Sequence, residues 1–224
     1  MSLKKALLIV FLILLIDQLS KIYIKTHFRL GDYITVLDWF KIYFIENNGM
    51  AFGTEFGGTT GKLFLTTFRL VAIAGIFYWL WTSVKNKASK LLIIAISLIL
   101  AGAIGNIIDS VFYGRLFSDS FHQVARFLPE NGGYAPWFQG RVVDMLYFPL
   151  FDINIPDFFP FIGGKHFIFF EPVFNIADSA ITIGVLILIF FNKKIFGDEN
   201  HDKNNTSYKK AIDEVVSDND QAIV

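Results

Sequence analysis

Two aspartates stand where a carboxylate is costly. Asp144 closes the string Arg141-Val142-Val143-Asp144, and Asp178 ends Phe174-Asn175-Ile176-Ala177-Asp178 at the head of a long apolar run. An ionisable group at the mouth of a membrane segment is expensive to keep and generally serves a function. Two carboxyls gathered at one membrane surface can share a proton and activate a water between them. That chemistry cuts a peptide bond without serine, cysteine or metal, so the pair points to peptide hydrolysis at a membrane face.

The other routes to hydrolysis find little support. Cysteine is absent from the 224 residues, which removes disulfides, thiolate catalysis and Cys-ligated metal together. His27, His122 and His166 fall in outer segments without metal-ligand spacing, so no metal is expected. No serine sits in a nucleophile-elbow context. The glycine pairs Gly57-Gly58 and Gly163-Gly164 lack the Lys-Ser or Lys-Thr of a phosphate loop. The formal net charge is zero, so nothing in the overall balance points to nucleic acid.

The elements that must position the two aspartates are membrane helices. The chain is 54% hydrophobic and 17% aromatic with 26 Phe, and its mean hydropathy is +0.49, which marks an integral membrane protein. Four stretches, 6–24, 63–82, 91–108 and 174–191, approach the roughly 20 helical residues that cross a hydrocarbon core. Four spans put both termini on one side. Lys4 and Lys5, then Lys85, Lys87 and Lys90, then Lys193 and Lys194 flank the ends gathered there, which the positive-inside rule makes the cytoplasm. The first stretch lacks a small-residue cleavage site and carries Asp17 and Lys21, so it reads as a permanent anchor.

Residues 25–62 and 111–171 then lie outside. Alternation in Tyr33–Leu37 and Phe40–Ile45 predicts short strands of an extracytoplasmic platform. Trp137, Phe138, Phe158 and Phe159 suit the headgroup region. The expected architecture is a mainly α membrane protein, a four-transmembrane-helix bundle with a small extracytoplasmic β platform and inserted periplasmic loops. Residues 1–196 form its membrane domain, and the polar stretch 197–224 is expected to be a disordered cytoplasmic tail.

The alternation of spans has a chemical consequence. The ends of spans one and three and the start of span four share one face, which gathers Asp17, Lys21, Asn106, Asp109, Asn175 and Asp178 at one depth. Asp17 and Lys21 are spaced i, i+4, so they either neutralise each other, with the lysine snorkelling outward, or position substrate. Asn106 and Asn175 are able to join helices by hydrogen bonds, and Asp109 to mark a helix end. Arg69, early in span two, is expected to meet an interfacial carboxylate or a lipid phosphate.

Five strings in order, Asp17-Gln18-Leu19-Ser20-Lys21, Asn47-Asn48-Gly49-Met50-Ala51-Phe52-Gly53, Gly102 to Asp109, Val142-Val143-Asp144 and Asn175 to Asp178, resemble the motifs of bacterial lipoprotein signal peptidase, also called signal peptidase II. The resemblance covers about residues 6–191. It implies an aspartyl endopeptidase of the bacterial inner membrane that removes the signal peptide of diacylglyceryl-modified prolipoproteins on the amino side of the lipidated cysteine. Asp144 and Asp178 match its catalytic pair. Asp17, Lys21, Asn47, Gly102, Asn106, Asp109 and Asn175 match positions that shape or support the site. The implied partners are the lipidated substrate and membrane lipids; no cofactor is required, and the expected state is a monomer.

The chain departs from the family pattern twice. Ser110 stands where the family has Arg after the third-span aspartate, so a salt bridge there is missing or comes from Arg115 or Arg141. Asp109 and Asp144 are 35 residues apart, longer than the family's usual link, which makes 111–140 an inserted extracytoplasmic segment; 148–170 is a second lengthening. The competing reading is a small channel or transporter with Asp17, Lys21, Asp109 and Asp178 along an ion path. The apolar inner halves of spans three and four, 91–101 and 180–191, oppose it.

Overall fold

The structure, a computed structural model, describes residues 1–48, 58–154, 164, 166–169 and 171–195. Helix α1 (Leu3–His27) leads into strands β1 (Tyr33–Leu37) and β2 (Phe40–Asn47). Helices α2 (Gly58–Lys85) and α3 (Lys90–Ile108) follow, and α3 runs on through a π-helical turn, Asp109–Tyr113, into the single turn α4 (Gly114–Leu116). After a long connection come β3 (Val142–Tyr147), β4 (Phe151–Asn154), β5 (His166–Phe169), β6 (Val173–Phe174) and helix α5 (Ile176–Phe190). Much of the motif around Gly49–Gly53, part of the second lengthening and the expected tail 197–224 lie outside the described residues.

Among the described residues, Leu3–His27, Thr60–Lys85 and Lys90–Leu116 are long and apolar enough to cross a membrane. The fourth expected span is shorter, 15 residues, or about 22 Å at 1.5 Å per residue. Phe174 is withdrawn from it because it pairs with Leu146 of β3, beside the pair of Val173 with Tyr147, and Asn175 is its cap. Span three is longer than expected at its outer end, since a π-turn absorbs Asp109–Tyr113 without breaking the rod.

Helix α3 is the spine. It starts on a Ser89 cap, whose hydroxyl accepts from the Leu92 N–H at 3.2 Å, and buries residues on several sides, including Ile93, Ile96, Leu100 and Ile107. Helices α1 and α2 instead expose a belt of Leu8, Phe11, Ile16 and Leu19, and of Phe64, Phe68 and Val71, surface that suits lipid and not water. Where α3 meets α5, side chains are too large. A Cβ on Gly102 would lie 2.2 Å from the Ala177 carbonyl oxygen, and one on Gly184 would lie 2.7 Å from that of Ala95. Small residues let membrane helices approach at backbone distance.

The platform is an antiparallel sheet in the order β1-β2-β3-β6. Its register pairs Glu46 with Val143 and Asn47 with Val142, while Ile45 pairs with Asp144. Phe44, Val143 and Met145 are buried and pack with Ile24, Tyr113 and Phe117, joining the sheet to the outer ends of α1 and α3. The two expected strands are therefore present, and the long-range strand β3 between β2 and β6 carries Asp144.

Gly102→Ala should destabilise the protein by about 1–3 kcal/mol, since the added methyl forces α3 and α5 apart. Gly75→Ala, with nothing within 4 Å of its Cβ position, should not. Thermal unfolding in one detergent compares the two.

Candidate active site

Helix α5 begins where its sequence permits a reciprocal cap. Asn175 Oδ1 accepts from the Asp178 N–H at 2.9 Å, and Asp178 Oδ2 accepts from the Asn175 N–H at 3.3 Å. The cap spends one oxygen of each side chain and leaves Asp178 Oδ1 and the Asn175 amide N–H groups for other partners. Asn106 Nδ2 donates to Asp178 Oδ1 at 2.7 Å. Asn175 Nδ2 donates to Asp144 Oδ1 at 2.7 Å and to Asn106 Oδ1 at 3.0 Å. Asn47 donates to the other oxygen of Asp144. The two aspartates are thus bridged by two asparagines that hydrogen-bond each other.

Lys21 decides how those amides face. Its ammonium lies 3.1 Å from Asn106 Oδ1, 3.0 Å from Asp17 Oδ2 and 2.9 Å from Asp109 Oδ2. An ammonium only donates, so Asn106 must turn its oxygen to Lys21 and its N–H groups to Asp178. Lys21 is wholly buried, and it does not snorkel. Two carboxylates hold it, and both are buried as well.

Those two carboxylates also grip backbone. Asp17 Oδ1 accepts from the Ala177 N–H at 2.9 Å, one residue before Asp178. Asp109 Oδ2 accepts from the Val143 N–H at 3.2 Å, one residue before Asp144. Gln18 reaches Asp17 at 3.0 Å, Asp109 at 3.1 Å and the Gly105 carbonyl at 3.2 Å, and Tyr113 donates to its Oε1 at 3.2 Å. Gly105 admits the cluster, since a Cβ there would lie 2.7 Å from Asp17 Oδ2.

The structure therefore brings together Asp17, Lys21, Asn47, Asn106, Asp109, Asp144, Asn175 and Asp178, with Gly102 permitting the helix contact beneath. Neither Arg115 nor Arg141 pairs with Asp109 in place of the missing family arginine. Arg141 pairs with Glu46 at 2.9 Å and Asp119 at 3.3 Å, the cation on Asp109 is Lys21, and Ser110 donates to the Asn106 carbonyl at 3.0 Å. Arg69 is partly buried on α2 and interacts electrostatically with Asp178. Gln18 and Tyr113 were given no role from sequence. Gln18 had a signal, a polar side chain inside an apolar span; Tyr113 had none.

Asp144 is only 3% exposed. Burial, then the neighbouring Asp178 charge, push its carboxyl up to about 7, against the hydrogen bonds of Asn175 and Asn47 and the charge of Lys21. Asp178 is half-buried. The arrangement has a carboxyl able to hold a proton at neutral pH beside a second carboxyl, which is what water activation by a carboxyl pair requires.

The family model described as Signal peptidase (SPase) II matches residues 9–193. The chain belongs to the signal peptidase II family. A lipoprotein signal peptidase of Porphyromonas gingivalis (strain ATCC 33277) is 50% identical over 182 residues, covering 81% of this chain and 79% of that one. Another from Amoebophilus asiaticus (strain 5a2) is 38% identical over 185 residues, covering 81% and 74%. A solved bacterial membrane enzyme, determined by the in meso method at 2.3 Å resolution, superposes with a TM-score of 0.55 at 28% identity, over 86% of this chain and 89% of that one.

In this signal peptidase II family member the coupling of the two carboxyls is measurable. Asp178→Asn removes the like charge and should lower the Asp144 midpoint from about 7, while burial, the larger cause, keeps it above 3.8. Carboxyl carbon NMR of aspartate-labelled protein in detergent reads the midpoint; an unchanged value would show that the carboxyls do not sense each other.

Proposed function

We propose that the protein is an aspartyl endopeptidase that cleaves the signal peptide from diacylglyceryl-modified prolipoproteins on the amino side of the lipidated cysteine. The observation that carries the reading is the paired-asparagine bridge, which holds one N–H on Asp144 and one on Asp178. Membership of the signal peptidase II family supports it. The names of the relatives supply the class of substrate.

Asp178, half-buried and held by Asn106 and its own cap, is the base. Its carboxylate takes a proton from water as the water oxygen bonds to the scissile carbonyl carbon. Asp144, the deeper group with the raised affinity for a proton, gives its proton to the carbonyl oxygen, which forms a tetrahedral diol. The C–N bond then breaks, the amine leaves with the proton held by Asp178, and Asp144 recovers its own. Every proton is returned, and no cofactor enters.

The threading that serves this chemistry has α5 as the fourth span, both termini in the cytoplasm and the dyad at the outer face of the inner membrane. The lysine clusters support that orientation. Residues 1–196 constitute the catalytic unit, which acts as a monomer among membrane lipids. Acyl chains place the cleavage region at the interface, since each buried methylene contributes about 0.8 kcal/mol to partitioning. A channel reading is not favoured, because the inner half of α3 is apolar and its Ser97 hydroxyl is bonded to the Ile93 carbonyl at 2.7 Å.

Purified protein in detergent should shorten a diacylglyceryl-modified prolipoprotein and leave the unmodified precursor uncut. Asp144→Asn and Asp178→Asn should each abolish turnover while preserving folding, and the double variant should be no worse, because members of one catalytic unit are non-additive. An Asp178→Asn rate within about tenfold of the parent, only about 1.4 kcal/mol of transition-state stabilisation, would sink the two-aspartate mechanism.

The natural absence of cysteine makes topology readable with single replacements. A membrane-impermeant thiol reagent should label Ser118→Cys and Asn131→Cys in intact cells, but Asn86→Cys only after lysis. Labelling of Asn86→Cys in intact cells would invert the threading.

A further inference from the structure

Asn47 reaches Asp144 from the last residue of β2, where the strand pairs with Val142 of β3. Its two chain neighbours are each held by a buried lysine. Lys25 pairs with Glu46, and Lys62 donates to Asn48 Oδ1 at 2.9 Å. Both lysines also bind the inserted segment. Lys25 donates to Ser120 Oγ at 2.8 Å, and Lys62 donates to the Gln139 carbonyl at 2.9 Å. Ser120 completes a triangle by donating to Glu46 at 2.9 Å.

The insertion is built to hold these contacts still. Phe117 is fully buried beside Phe44 and Val143, and the Lys25 ammonium lies 5.5 Å from the Phe117 ring and 4.9 Å from that of Tyr134. The Arg141 guanidinium lies 4.7 Å from the Tyr134 ring, and the Tyr134 hydroxyl accepts from the Arg141 backbone N–H at 2.6 Å. At its far end Gly140 lies against the Asp109 carbonyl, 2.0 Å from where a Cβ would be, and its N–H donates to the Ser110 carbonyl at 2.8 Å. A buried ion pair adds little net stability over an apolar pair of the same shape, so its return here is geometric.

We propose that the inserted segment 111–140 is a positioning device for Asn47, acting through the two buried lysines Lys25 and Lys62. It rests on the reading of Asp144 and Asp178 as the catalytic pair. Lys25, Lys62 and Ser120 are positioning residues: they hold Glu46 and Asn48 on either side of Asn47, and so keep its amide on Asp144. When the clamp loosens, Asp144 loses a hydrogen bond to its ionised form and holds its proton to higher pH. The charged groups facing Asp144, Asp178 from α5 and Lys21 from α1, stay in place, as does the Asn175 amide.

The test compares the full-length protein in detergent with Lys62→Met, Lys62→Arg, Asn47→Ala and the Lys62→Met/Asn47→Ala double variant, using diacylglyceryl-modified prolipoprotein. Lys62→Met should lower kcat about tenfold with KM unchanged, and move both the pH profile and the Asp144 NMR midpoint upward by about one unit. Lys62→Arg, which keeps its donors, should restore both. The double variant should be no slower than Asn47→Ala alone, since the lysine acts through that residue. If Lys62→Met does not fold, Ser120→Ala, the loss of one hydroxyl, should move the same readouts in the same direction. A Lys62→Met protein with the parent's midpoint, or a double variant whose losses multiply, overturns the proposal. A parent protein without turnover overturns the peptidase reading instead, and the NMR midpoints still decide the clamp.

Discussion

The structure depends on one buried ammonium. Lys21 is removed from water and held by Asp17, Asp109 and Asn106. A cation so placed costs several kcal/mol unless its partners are close and themselves satisfied. Among the described residues they are: no buried side-chain nitrogen or oxygen lacks a partner. Satisfying Lys21 forces Asn106 to face one way, and the orientation passes directly to Asp178 and through Asn175 to Asp144. The lysine bonds to neither of them, yet the facing of the Asn106 and Asn175 amides follows from it.

The same charges close the bundle. Asp17 on α1 and Asp109 at the end of α3 each use a second interaction to hold the backbone just before a dyad aspartate, Ala177 in one case and Val143 in the other. Helix α5 and strand β3, far apart in sequence, are thus docked by the groups that neutralise Lys21. This docking requires backbone contact, and Gly102, Gly105 and Gly184 supply it. Loss of space there separates the helices that the ion cluster joins. Packing and electrostatics act here on the same atoms.

Asp144 and Asp178 are chemically alike but differ in environment. Asp144 lies on a central strand of the platform, where burial and a neighbouring charge favour its neutral form. Asp178 stands at a helix start, half-buried, with both oxygens accepting hydrogen bonds. Unlike surroundings are what let two carboxyls serve as acid and base in the proposed reaction. Segment 111–140 reaches the same site by way of Glu46, Asn48 and the two lysines bonded to them.

Much of this was legible in the chain itself. A charge inside an apolar run is rare enough to stand out, so Asp17, Lys21, Asn106, Asp109 and Asn175 declare themselves, and span alternation brings them to one depth. The strings around them establish the family, and the alternation in Tyr33–Leu37 and Phe40–Ile45 foretells the first two strands. Direction was not legible. An i, i+4 spacing does not say whether a lysine snorkels or turns inward, because that depends on a carboxylate 88 residues on, Asp109. The fourth helix starts late because Val173 and Phe174 find a partner in β3, a long-range pairing that hydropathy does not register. The segment 111–140 reads from sequence only as an inserted extracytoplasmic stretch, since Ser120, Tyr134 and Gln139 carry no motif. Only the tertiary structure brings them to Lys25 and Lys62. Sequence determined which polar groups had to be buried; the fold alone decided which of them face each other, because burial obliges every charge to find a partner and only packing determines which partners lie within reach.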